Sequence, residues 1–146
     1  MTTYEVIKAA RDWLGDRKNW IKYQRRGVGS KSIPDPPRCM LGAIDRVLWG
    51  PGQPTVMQQW TTDQHPAVAA LALECQTAAG HFPAVETASI VAAFNDSADY
   101  VRVLALLDLA LRHEQDRTAT EAWRELDWAR ALACSALMAS DSAYHA

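Results

Sequence analysis

Hydrophobic positions recur along this chain with the period of a helix far more often than with that of a strand. In residues 3–14, Val6, Ile7, Ala10, Trp13 and Leu14 share one face, while Lys8, Arg11 and Asp12 take the other. Thr2 and Glu5 have capping-box spacing, and Gly15 is placed to end this first helix. A second helix is expected to open on Asp35 as N-cap with Pro36 at the first helical position, and to run to about Trp49. Its buried face would be Ala43, Ile44, Val47 and Leu48, and Gly50-Pro-Gly-Gln-Pro54 would stop it. A polar connection containing Trp60 follows. Asp63 is placed to cap a third helix over 66–79, with Val68, Leu71, Ala72 and Cys75 inward and Gly80 at its end.

A short fourth helix is expected over 85–94, with Asn95-Asp96-Ser97 capping a fifth over about 98–113. There Val101, Leu104, Leu107, Asp108 and Leu111 carry the helical period. Thr118 and Glu121 suggest another capping box, opening a sixth helix to about Ala139. Its apolar side is Leu126, Ala129, Leu132, Ala133, Ala136 and Leu137. No repeat of twenty to fifty residues is visible. The expectation is one all-α domain spanning 1–146, a bundle of five to six helices.

The exception to this periodicity is 16–37. Gly27, Gly29, Ser30, Ser32, Pro34, Pro36 and Pro37 disfavour a helix, and a loop of that length inside a compact domain is usually functional or mobile. Trp20-Ile-Lys-Tyr23 is placed to dock it locally as a short strand or turn. Charge sharpens the picture: residues 16–38 hold seven basic side chains against two acidic ones, although the whole 146-residue chain has a net charge of −2. A basic loop is therefore set on an acidic body. The 49% hydrophobic and 22% charged content is that of a folded protein with a core of its own, and 25 alanines favour close helix packing. Three cysteines, Cys39, Cys75 and Cys134, form no disulfide framework and read as reduced thiols, which points to the cytoplasm. The N-terminus has no signal-peptide pattern, and no apolar run is long enough to span a membrane.

Cys39 is the sharpest candidate for chemistry. A thiol in the first turn of a helix, beside Arg38, is favoured as thiolate by the helix dipole and the adjacent charge. His65, His81, His113 or His145 would supply a base, and Asn95 or Asp96 would orient it. Against this, an unpaired cysteine is commonly a small buried residue, and Gly42 and Ala43 would let a neighbour pack closely. Asn95-Asp96 has two readings of the same kind, a substrate-positioning pair or a helix cap. Trp20, Tyr23, Arg25 and Arg26 form a candidate binding surface for nucleic acid, for an acidic protein partner, or for the molecule's own acidic side. No metal site is expected, since neither Cys-x-x-Cys nor His-Glu-x-x-His occurs, and no phosphate-binding or dinucleotide glycine motif calls for a cofactor. Trp123 and Trp128, about 140° apart around one helix, cannot both face the same neighbour. The expectation is that Trp123 lies nearer a buried seam of Leu126, Ala129, Ala133 and Ala136. Trp128 is then left for a partner or a second copy of the chain.

Two patches carry a resemblance. Cys39-Met-Leu-Gly-Ala-Ile44 resembles the Cys-x-x-Gly-Ala helix start of an uncharacterised family, a domain of unknown function in small proteins of actinobacteria and their phages. Phe94-Asn95-Asp96, with the helix containing Val103-Leu-Ala-Leu-Leu107, resembles that family's Trp-Asn-Asp element, with Phe94 in place of tryptophan. The likeness spans roughly 4–113. It implies an origin and no activity. With the absence of catalytic motifs, it leads to the expectation of a protein-binding module, a phage or mobile-element accessory protein that engages a host protein. The alternatives are a small cysteine-dependent enzyme using Cys39 and a nucleic-acid-binding regulator acting through the basic loop.

Overall fold

The computed structural model describes residues 1–79 and 86–145; the side chains of residues 79, 123–125, 127 and 138–145 lie outside that description. Among the described residues the protein is all-helical, with seven helical segments rather than five to six and no strand beyond two isolated bridges. They are α1 (Thr3–Leu14), a single 3-10 turn (Arg17–Asn19), α2 (Met40–Trp49), α3 (Val56–Asp63), α4 (Pro66–Ala79), α5 (Thr87–Ser97) and α6 (Tyr100–His145). The chain divides into two units, Met1–Arg112 and His113–Ala146.

The first unit holds a continuous apolar core. Thr2 and Glu5 form the expected capping box, and α1 buries Val6, Ile7, Ala10 and Leu14. The inward residues of α4, Val68, Leu71, Ala72 and Cys75, are all buried. In α6 the buried stripe is Val103, Leu106, Leu107 and Ala110, rotated from the expected one, and Val101 is 73% exposed. Asp108 instead accepts from Arg11 at 2.7 Å, joining α6 to α1, while the Tyr100 hydroxyl donates to the Leu14 carbonyl at 2.6 Å.

Four expected helix starts differ. Asp35 does not open α2: Cys39 is the N-cap, so the cysteine precedes the first turn, and Asp35 accepts from Arg46 at 2.8 Å. Asp63 ends α3, a helix absent from the sequence-based reading, and the cap of α4 is His65, whose Nδ1 accepts from Ala67 N–H at 3.0 Å. That acceptor must be unprotonated, and burial accordingly pulls the His65 pKa below its ordinary value. Asn95 and Asp96 lie in the last turn of α5, and Asp99 caps α6 by accepting from Arg102 N–H at 2.9 Å. The fifth and sixth expected helices are one helix. Thr118 is not a cap, because its hydroxyl donates to the Glu114 carbonyl one turn back at 2.9 Å. No glycine or proline occurs after Pro83 to end the run.

The 16–37 segment is tied down along much of its length. Ile21 N–H donates to the Arg38 carbonyl, Arg38 N–H to that of Asn19, and Gly27 N–H to that of Pro37, all within 3.2 Å. These bonds fold the segment against the entry to α2, where Gly42 has a specific role. A Cβ at position 42 would collide with the Arg25 carbonyl oxygen and stand 2.9 Å from the Arg38 Cβ. Backbone cannot withdraw as a flexible side chain can. Gly42→Ala is therefore expected to destabilise the fold by about 3 kcal/mol or more in urea unfolding, the upper range of an overpacked core. Gly52→Ala, with no atom within 4 Å of the new methyl, serves as the near-neutral control.

Candidate functional site

Asn95 is fully buried, and its carboxamide joins three segments of the chain. Its Oδ1 accepts from the Trp20 indole N–H at 2.8 Å and from Met40 N–H at 3.1 Å, and its Nδ2 donates to the Ile21 carbonyl at 3.1 Å. The α5 helix presents this residue to the loop on one side and to the start of α2 on the other. Asp96 continues the contact by accepting from Tyr23 N–H at 2.7 Å, where Tyr23 adopts a left-handed backbone with φ of 65°. An indole ring on one side and an open helix end on the other need one small acceptor between them, and asparagine also supplies a donor.

Charge is handled in the same way. The Arg25 guanidinium makes two bonds to Asp45, at 2.6 and 3.0 Å, and one to Asp63 at 2.8 Å. Asp45 is fully buried, so it depends on this fork for its partner. Arg38 is fully buried as well and donates to the Pro51 and Gly52 carbonyls at 2.6 and 3.2 Å. Burial, followed by repulsion from Arg26, lowers its pKa. Arg26 reaches the same Pro51 carbonyl at 3.3 Å.

The sequence candidates therefore sort by environment. Trp20 is buried, its ring 5.0 Å from the Arg17 guanidinium, and Arg25 is committed to two carboxylates. Gly42, Ala43 and Phe94 are buried, and Arg102 lies over the Phe94 ring at 5.8 Å. Cys39 is only 5% exposed, and burial pushes its thiol up from the ordinary value, although the backbone N–H groups of Gly42 and Leu41 pull the other way. Of the four histidines considered as its base, His65 serves as a helix cap, His113 and His145 lie on α6, and His81 falls outside the described residues. Tyr23 and Trp128 are exposed, at 77% and 67%. The seam of Leu126, Ala129, Ala133 and Ala136 is exposed rather than buried, and the Trp123 side chain lies outside the described residues. Among the described residues no group of three or more His, Cys, Asp or Glu could hold a metal ion, and no helix is long and apolar enough to cross a membrane.

Sequence reasoning missed the outward face of α3. Val56, Met57 and Trp60 fall within about 100° of one another around that helix and are 82%, 69% and 59% exposed. On the opposite side Thr62 is buried and accepts from the Trp49 indole at 3.0 Å. Beside Trp60 lies a cavity of about 240 Å³ lined by Asp63, Gln64, Glu86, Thr87 and Ala88. Thr55-Val-Met-Gln58 was the available signal, since it has capping-box spacing and forms that box in the structure.

A buried asparagine hub, a loop arginine paired with two carboxylates and an outward apolar ridge mark a small protein that is all-helical among its described residues. The model of a family of unknown function, DUF6197, matches residues 1–132, and the chain belongs to that family. No curated protein and no solved structure matches it.

Two measurements test this site. Asn95→Ala leaves the Trp20 and Met40 N–H groups and the Ile21 carbonyl without their partner. It should cost about 3 kcal/mol or more in urea unfolding, at about 1–3 kcal/mol per buried unpaired group. Asn95→Asp keeps the acceptor but sets a buried carboxylate beside Asp96, so its deficit relative to wild type should shrink as the pH falls and that carboxylate takes up a proton. A deficit independent of pH would contradict the burial assigned to this group. For the thiols, iodoacetamide near neutral pH should label exposed Cys134 well before Cys39 and Cys75, whose pKa burial raises to about 12 in the case of Cys75. Preferential labelling of Cys39 would revive the cysteine-enzyme reading.

Proposed function

We propose that this protein is a binding module that engages another protein, as an accessory protein of a phage or mobile element would engage a host protein. The carrying observation is the outward ridge of Val56, Met57 and Trp60. Methionine and tryptophan are enriched where proteins meet, and here they occupy the side of α3 turned away from the core. The adjacent cavity, with Glu86 in its lining, suits a basic side chain next to an apolar anchor. The partner surface this describes is an apolar segment flanked by lysine or arginine. The other readings have less support: the Cys39 thiol is buried, and Arg25 spends its charge on Asp45 and Asp63 rather than on phosphates.

The test is affinity capture from an actinobacterial lysate treated with nuclease, using wild type and a Met57→Ser/Trp60→Ala variant. Both residues are exposed, so the variant should keep its circular dichroism and stability. A protein retained by the wild type after nuclease and absent with the variant is the expected result. Loss of all captured material on nuclease treatment would favour the nucleic-acid reading. Identical capture by both forms would remove α3 as the contact surface.

A further inference from the structure

From the geometry of α6 beyond Arg112, we infer that this helix pairs in parallel and in register with the same helix of a second copy of the chain. The inference is independent of the α3 surface. Large apolar side chains stand in solvent here: Leu126 is 51% exposed, Leu132 54% and Leu137 70%. Between them runs a heptad series of alanines with Leu126. Ala119, Ala122, Leu126, Ala129, Ala133 and Ala136 succeed one another at alternating steps of three and four residues, and every one of them is exposed. With Ala119 at position a, these six are a and d residues in unbroken succession, the seam along which two helices coil.

The residues beside the seam identify the occupant. Leu132 falls at g and Leu137 at the following e, five residues later. In a parallel, in-register pair, g of one helix faces the next e of its partner. Each Leu132 therefore meets the Leu137 of the other copy, and both exposed leucines are covered twice over by symmetry. The sequence repeats this spacing one heptad earlier with charge, an acid, Glu125, at g and a base, Arg130, at e. A copy of the same helix thus offers leucine to leucine and opposite charge to opposite charge. An antiparallel pair centred on the same seam would bring g beside g and e beside e, and so would part each Leu132 from the partner's Leu137. Trp128, at position c, lies outside the seam and remains exposed in the pair.

Sedimentation velocity of the full chain should show a dimer at micromolar concentration. Ala133→Glu, which places two carboxylates at one a layer, should give a monomer of unchanged helical circular dichroism, and Trp128→Ala should leave the dimer intact. Ala133→Cys in a Cys134→Ser background should form an interchain disulfide on mild oxidation, since facing a positions lie within the roughly 4.4–6.8 Å Cα separation that a disulfide spans. Arg130→Glu should lower the dimer fraction, and Glu125→Arg added to it should restore the dimer. A wild-type monomer at every concentration overturns the inference, as does a dimer that survives Ala133→Glu. A dimer without the Ala133→Cys crosslink overturns the parallel register.

Discussion

The first unit depends on one side chain shared among three segments, the buried carboxamide of Asn95. It accepts from Trp20 and Met40 and donates to Ile21, so it holds the loop, the start of α2 and α5 in one arrangement. Ordering a loop of this length costs conformational entropy at every residue, and a basic, Gly- and Pro-rich segment buries little apolar surface to offset it. Buried hydrogen bonds supply the remedy. Once Trp20 is inserted, its indole N–H must find an acceptor, and the same acceptor serves the open N-terminus of α2. The close approach of the Arg25 backbone to Gly42 follows from that docking, because the loop returns along α2 with no room for a side chain between them.

Electrostatics completes the arrangement. Positive charge concentrated in one segment invites a reading as a binding surface, yet its central residue points inward. Arg25 carries the planar fork that a buried carboxylate requires, and Asp45 has no route to solvent. Arg46 with Asp35 and Arg11 with Asp108 repeat the pattern at more exposed positions. Arg38 goes further, resting on the Pro51 and Gly52 carbonyls with only a distant carboxylate at 4.0 Å. A buried cation held chiefly by carbonyl groups ties the turn after α2 to the end of the loop. Arg25 and Arg38 are thus internal framework while Arg17, Lys18 and Lys31 remain exposed, and the molecule also exposes apolar groups.

Those groups occur in both units, each considered by itself. In the first, α3 turns its polar Thr62 inward and its apolar residues outward, the reverse of an ordinary surface helix. In the second, the helix from His113 onward exposes Leu126, Leu132 and Leu137 along and beside an alanine-rich heptad seam. Isolated exposed apolar residues are commonplace, and a run of them on one helical face is not.

Hydrophobic periodicity alone determined the helical class, the bounds of α1 and α4, and their inward residues. Each is a local pattern meeting a single core, and the Thr2–Glu5 box and the Gly50 stop are read from neighbours in the chain. Position-specific roles were decided by tertiary structure. Asn95-Asp96 has the composition of a helix cap, and only the arrival of Trp20 from 75 residues away makes it a hub. Thr118 has capping-box spacing, but with nothing to turn the chain aside its hydroxyl is satisfied within the helix. Arg25 and Asp45 carried a legible hint, a carboxylate next to the apolar face of α2 and a surplus of cations nearby. Which cation met it was settled by the fold of the loop. Local sequence reports what each residue can do; partners distant in sequence decide which of its hydrogen bonds and charges is used.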